Sequence, residues 1–254
     1  MMRKFLKLQQ GKVLFQAFLL LGYGLYLLYL CYSTKINFFV HPDYAYLALG
    51  GGYGLVLLFV IGIINFFVGK KNCSDCNDFT SQRFFSLNNF LVLLPLIVAL
   101  MTQPRALSSA TALNRNLRLD VDSVFGRQIS VATQFVIDTQ KRSMIDWIRL
   151  FNQDPEPDHH KDLKAKVVGF VLRDNTLPVD HFMIARFVIS CCAADARPVG
   201  LIVQYDPAKF NFKNDEWIEV SGTFASEEVG GQRQPVLVLE SYKVVPIPEN
   251  PYAI

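Results

Sequence analysis

FMIARFVISCCAADARPVGLIVQY, residues 182 to 205, reads as two strands joined by a turn. From Phe182 to Cys191 the side chains alternate with a period of two, the mark of a pleated strand. Met183, Ala185, Phe187, Ile189 and Cys191 fall on one apolar face, while Arg186, Ser190 and Cys192 fall on the other. A second apolar run covers 199–205. The same period recurs at 164–172 (KAKVVGFVL), 216–224 (EWIEVSGTF) and 236–245 (VLVLESYKVV), with turn-rich segments between and a longer gap from Asp206 to Asp215. Five such strands predict an all-β domain, a five-stranded OB-like barrel, with an open five-stranded sheet as the alternative arrangement.

Upstream the period changes. Met144, Ile145, Ile148 and Phe151 recur at helical spacing with Trp147 alongside, so an amphipathic helix is expected over 141–152, ended by Asp154-Pro155-Glu156-Pro157. Residues 103–137 are mixed and polar and read as a linker, which leaves 138–254 as the soluble β-domain.

Hydrophobic residues make up 51% of the 254 and charged ones 19%, and the apolar residues crowd into the first hundred positions. Residues 1–102 therefore read as a membrane region, with α-helical spans at 13–31, 46–68 and 84–102. The first two are uncharged and long enough to cross roughly 30 Å of hydrocarbon. The third carries two asparagines and Pro95. A cleavable signal or lipoprotein reading of the first fits poorly, because its apolar run is long and Leu30 directly precedes Cys31. Arg3, Lys4, Lys7 and Lys12 precede the first span, only Lys35 lies before the second, and Lys70, Lys71 and Arg83 precede the third. Positive-inside then puts the N-terminus in the cytoplasm of a plasma membrane protein. Three crossings export the β-domain; Arg105, Arg115 and Arg118 argue against that, and two crossings would leave it cytoplasmic. Gly22, Gly24, Gly50, Gly51, Gly52 and Gly54 remove side chains where helices approach closely, within this chain or against a partner, or simply reflect the frequency of glycine in membrane helices.

A net charge of +3, with no basic run interleaved with aromatics, argues against nucleic acid. There is no GxSxG, phosphate-binding loop, dinucleotide fingerprint or HExxH, so the chain reads as no enzyme. Chemistry, if any, lies with the five cysteines. Strand alternation makes the sulfurs of Cys191 and Cys192 diverge, giving a core thiol and an exposed one; a strand that breaks at Cys192 is what both would need to face a single ligand. His159, His160, His181 and Asp195 are candidate neighbours for a zinc or other thiophilic ion there, while His159 and His160 equally suit a solvated turn. Cys73 and Cys76 form a CxxC, half a zinc site, between the second and third spans, and a free surface loop explains them as well.

ARFVISCCAADARPVGL (185–201), preceded by GFVLR (169–173) and followed by NDEWIEVSGTF (214–224), resembles the signature region of the YcgQ-type bacterial membrane proteins, described as permease-associated subunits. FVHPD (39–43), LPLIVALMTQPRALSSATALNR (94–115) and the closing NPY (250–252) extend the resemblance to nearly the whole chain. The resemblance implies a multi-span permease as partner in the lipid bilayer and a link to metal, often zinc, homeostasis; a second copy of the chain is a separate candidate partner. It singles out Cys191, Cys192, Asp195 and Arg186. Relatives often carry a histidine-rich loop after the second span, where this chain has CSDC (73–76). The expected function is an accessory permease subunit whose extracytoplasmic β-domain binds a metal or other ligand. The rivals are a thiol-redox protein using Cys192 and a purely structural interaction module.

Overall fold

The computed structural model of the chain describes residues 2–68, 87–115 and 141–253, with side chains over 14–67, 91–115 and 141–253. Two compact units emerge, Met1–Arg105 and Ala106–Ile254.

In the first unit, helix α1 (Met2–Tyr32) carries the uncharged run that follows Lys12, and helix α2 (Ala45–Val68) is uncharged throughout. Among the described residues, two helical stretches are long and apolar enough to cross a bilayer, Leu14–Tyr32 and Pro42–Phe67. Helix α3 (Leu87–Met101) contains Pro95; the start of the span expected at 84–102, and with it Cys73 and Cys76, lies outside the described residues. The Tyr23 hydroxyl donates to the Val92 carbonyl, and the Tyr26 hydroxyl to the Ala99 carbonyl at 2.9 Å, tying α1 to α3.

Only some of the glycines serve close approach. A Cβ on Gly24 would lie 3.1 Å from the Gly52 carbonyl oxygen, and one on Gly52 would lie 2.9 Å from Leu28 Cδ2, whereas Gly50 and Gly54 face open space. Gly52→Ile is therefore expected to separate α1 from α2 and lower the detergent-solubilised melting temperature, with Gly50→Ala as the silent control. Equal melting temperatures for both would refute this packing.

The second unit begins earlier than the linker expectation placed it. Helix α4 (Ser109–Asn114) folds with the β-domain, with Ala112 fully buried beside Phe170 and Leu172, and Ala106 and Leu107 packed on the same cluster. Helix α5 (Met144–Gln153) opens with a capping box between Ser143 and Asp146. Its apolar stripe is the expected one: Met144, Ile145, Trp147 and Ile148 are buried, and Trp147 packs 4.8 Å from Phe224 and 5.9 Å from Phe151.

Six strands follow: β1 (Lys164–Leu172), β2 (His181–Val188), β3 (Arg197–Gln204), β4 (Trp217–Val229), β5 (Gln232–Val244) and the short β6 (Tyr252–Ala253). They form one sheet in the order β1-β4-β5-β3-β2-β6, with β1 also pairing β2, so the series of pairings returns to its start. All pairs are antiparallel except β3 with β5 and β2 with β6. The β4–β5 hairpin turns on Gly230 and Gly231, both at positive φ, as a two-residue hairpin loop favours. Alternation sorts β2 onto two buried faces: Phe182, Ile184 and Val188 join the cluster under α5, and Met183, Ala185 and Phe187 join the other with Ile189, Ala196 and Tyr252.

One expectation fails where it matters. β2 ends at Val188, three residues short of the strand predicted to Cys191, and the chain turns sharply before β3.

Candidate functional site

Ile189 and Ala196 are buried, and the loop between them stands out from this base. Its shape comes from Asp195. That carboxylate accepts the N–H of Ser190 at 3.0 Å and of Cys191 at 2.8 Å, offering the backbone local partners in place of a strand ladder. A single 3-10 turn, Ala193–Asp195, follows, closed by the Asp195 N–H on the Cys192 carbonyl at 3.1 Å.

Because the strand has ended, the alternation rule no longer governs the thiols. Cys191 is exposed rather than buried in the core, and Cys192 is half-buried. Their sulfurs lie 3.7 Å apart, on one side of the loop. With one Asp195 oxygen they make a cluster whose donor atoms all fall within 4.8 Å of one another.

The electrostatics follow from these contacts. The Asp195 hydrogen bond, then Cys192, pushes the Cys191 thiol up to about 11. For Asp195, partial burial pushes its pKa up, but the Cys191 thiol and the backbone N–H groups of Cys191, Ser190 and Cys192 outweigh that and hold it below the usual range. Tyr252 is pushed up to about 12, mainly by burial, with Arg115 opposing and Cys192 adding.

Separation of the sulfurs is the informative number. At a Zn–S distance of about 2.3 Å, a tetrahedral centre spaces two thiolates by about 3.8 Å. The pair sits at 3.7 Å without rearrangement. Two sulfurs and a carboxylate oxygen make a soft, incomplete donor set that fits zinc and leaves a fourth position open.

The other candidates go elsewhere. His181 is at the opposite end of β2, buried, with Nδ1 2.8 Å from Asp180 and Nε2 3.3 Å from Glu227. Arg186 points at neither thiol: its guanidinium donates to the Asn250 carbonyl at 2.8 Å and the Pro251 carbonyl at 3.2 Å, and lies over the Trp217 ring. It fastens β6 beside β2. His160 is buried, its Nε2 2.7 Å from the Asp154 carbonyl oxygen and its ring against Phe151. His159 is exposed and bonds the Asp154 carboxylate at 2.9 Å.

That exposed pair has a measurable signature. The Asp154 hydrogen bond raises the His159 pKa, and the same bond lowers that of Asp154. The attraction is present with the carboxylate ionised and the imidazole protonated, fades as pH rises through the raised histidine value, and fades again as pH falls through the lowered aspartate value. In an NMR titration His159 should have a midpoint above that of an ordinary histidine, and Asp154→Asn should return it to the ordinary range.

Sequence reasoning passed over Arg115 as a site residue. Its Nη1 donates to the carbonyls of Ala196 at 2.6 Å and Ala193 at 3.3 Å, so it grips the turn that carries Asp195. No local pattern signals a contact across that separation in sequence.

The family described as the DUF1980 N-terminal domain matches residues 15–118, and the DUF1980 C-terminal domain matches 127–254. The UPF0703 protein YcgQ of Bacillus subtilis (strain 168) is 31% identical over 86 residues, 33% of this chain and 30% of that protein, so the aligned part spans under a third of its length. A Streptococcus mutans protein, provisionally named a two-component membrane permease complex subunit, is 22% identical over 272 residues, 92% of this chain and 96% of that one.

Proposed function

This chain belongs to the DUF1980 family, and we propose that it is a non-enzymatic, membrane-anchored accessory subunit of a multi-span permease, with a β-domain that takes up a thiophilic metal ion, zinc foremost, at Cys191, Cys192 and Asp195. The name of the Streptococcus mutans relative supports the permease partnership. The two apolar helices support the anchor. The return of the strand pairings to β1 supports an OB-like barrel as the scaffold. With the N-terminus cytoplasmic from the basic flanks, this domain lies outside the cytoplasm when α3 (Leu87–Met101) and the residues before it form a third crossing, and that is the arrangement proposed.

One observation carries the metal reading: two sulfurs 3.7 Å apart on an exposed loop, beside an ionised carboxylate. Three donors with an open fourth position suit acquisition and release better than permanent storage, because a closed tetrahedral shell exchanges its ion reluctantly. The thiols must lose their protons to bind, so loading should grow with pH.

Full-length protein purified in mild detergent from zinc-supplemented cells should hold about one zinc per chain and lose it in the Cys191→Ala/Cys192→Ala variant. Metal-free protein in which Cys192 forms mixed disulfides would replace this reading with the redox one. An impermeant maleimide on intact cells tests the side: labelling of Cys192 without Cys73 or Cys76 agrees with an exported domain, and the reverse pattern rejects it.

A further inference from the structure

We propose that Arg115 is the positioning residue of the thiol loop, the group that keeps the sulfurs of Cys191 and Cys192 together for a single two-handed ligand. The inference takes the site from the preceding reading but does not depend on which ion, if any, it holds.

The Asp195 N–H closes the start of the turn after Cys192 at 3.1 Å, but its far end is weakly closed by its own backbone, since the Ala196 N–H reaches the Ala193 carbonyl only at 3.4 Å. Arg115 joins the same two residues from outside, at 2.6 Å to the Ala196 carbonyl and 3.3 Å to that of Ala193. A charged donor bridging both ends of a turn is worth more than a neutral one. Between those ends sits Asp195, whose carboxylate holds the N–H groups of Ser190 and Cys191 and so orients the thiols.

Arg115 acts from a fixed base. It caps the C-terminus of α4, whose Ala112 is wholly buried and whose Ser109 N–H donates to the Asp215 carboxylate at 2.5 Å. The grip therefore also joins two family segments: Arg115 lies within the matched residues 15–118, and the loop it holds lies within 127–254. Release of α4 would loosen the thiol pair, which gives the segment following α3 a physical handle on the site.

Phenylarsine oxide reads the pairing of the sulfurs directly. Each capture forms two As–S bonds, and the oxide oxygen leaves as water with the two thiol protons, with no change in oxidation state. The full-length chain with Cys73→Ser and Cys76→Ser, in detergent, supplies the background. Adding Arg115→Met should weaken arsenical capture about tenfold while single-thiol alkylation of Cys191 and Cys192 by iodoacetamide changes far less, and Arg115→Lys should recover part of the loss. Unchanged capture in Arg115→Met overturns the proposal. So does a parallel change in capture and alkylation, which is the mark of a generally unfolded loop. Zinc content separates the two readings: parent protein that captures the arsenical but carries no zinc removes the metal reading and leaves the role of Arg115 standing.

Discussion

Gly222→Ala is expected to destabilise the β-domain by about 3–5 kcal/mol, a large part of the roughly 5–15 kcal/mol that holds such a domain together. The register between β4 and β5 slips between Ser221 and Gly222, where Ser221 pairs Ser241 but Gly222 pairs Leu239, leaving Glu240 as the extra residue of a bulge. The bulge drives the Val238 carbonyl against Gly222. A Cβ there would lie 2.1 Å from the Val238 oxygen and 3.0 Å from its carbon, and these are backbone atoms that no side-chain rotation can move aside. The β4–β5 ladder would have to part at the strand pair that continues through Val220 and Leu237, both fully buried. Gly230→Ala is the control, since its Cβ meets nothing within 4 Å and only its φ of 64° is unfavourable, worth about 1 kcal/mol. Urea unfolding followed by circular dichroism should rank the two clearly. Equal midpoints would mean that the strands are not in this register.

Which parts of the structure were legible in the sequence follows from how local their causes are. Period-two alternation located β1 through β5 because each strand buries one or both of its faces, and the stripe of α5 was read from Met144, Ile145 and Ile148 for the same reason. β6 was missed: two residues carry no period, and Tyr252 and Ala253 are held by pairing to Phe187 and Val188 and by Arg186 on the preceding carbonyls. α4 was absorbed into a linker because its short helix is stabilised by tertiary contacts of Ala112 and Asp215 rather than by its own composition.

The site was half legible. Residue types singled out Cys191, Cys192 and Asp195, but alternation, extended three positions too far, sent the sulfurs to opposite faces. The missing signal was the aspartate four residues after Cys191, a side chain that competes for backbone N–H groups and stops a strand. His181 looked equally available in the sequence. Its partners Asp180 and Glu227 lie at the far end of β2, and only the topology reveals that.

Asp195→Ala should move two thiol properties in opposite directions. Removing the carboxylate leaves the N–H groups of Ser190 and Cys191 without their acceptor, so the turn opens and zinc retention falls by about 100-fold or more. The same change frees the Cys191 thiol, whose pKa stands at about 11 chiefly because it hydrogen-bonds that carboxylate. A raised thiol pKa means that the proton is kept to higher pH, so its fall toward the ordinary 9.0 puts more thiolate in solution at pH 8. The Cys192 hydrogen bond and burial still hold part of the rise, so the thiol returns only part of the way; each tenfold gain in thiolate is offset about threefold by the weaker nucleophilicity of a less basic sulfur, for a net acceleration of alkylation of about threefold. Asp195→Asn sharpens the test, because it keeps one acceptor for the loop but loses the charge. It should alkylate nearly as fast as Asp195→Ala, and it should lose zinc as fully if the carboxylate is itself a ligand. Retained zinc in Asp195→Asn would assign Asp195 to shaping the loop alone, leaving the two sulfurs to seek their remaining donors outside this cluster. Alkylation that slows or stays constant in both variants would mean that the carboxylate does not hold the Cys191 proton, and the geometry assigned to this loop would then be wrong.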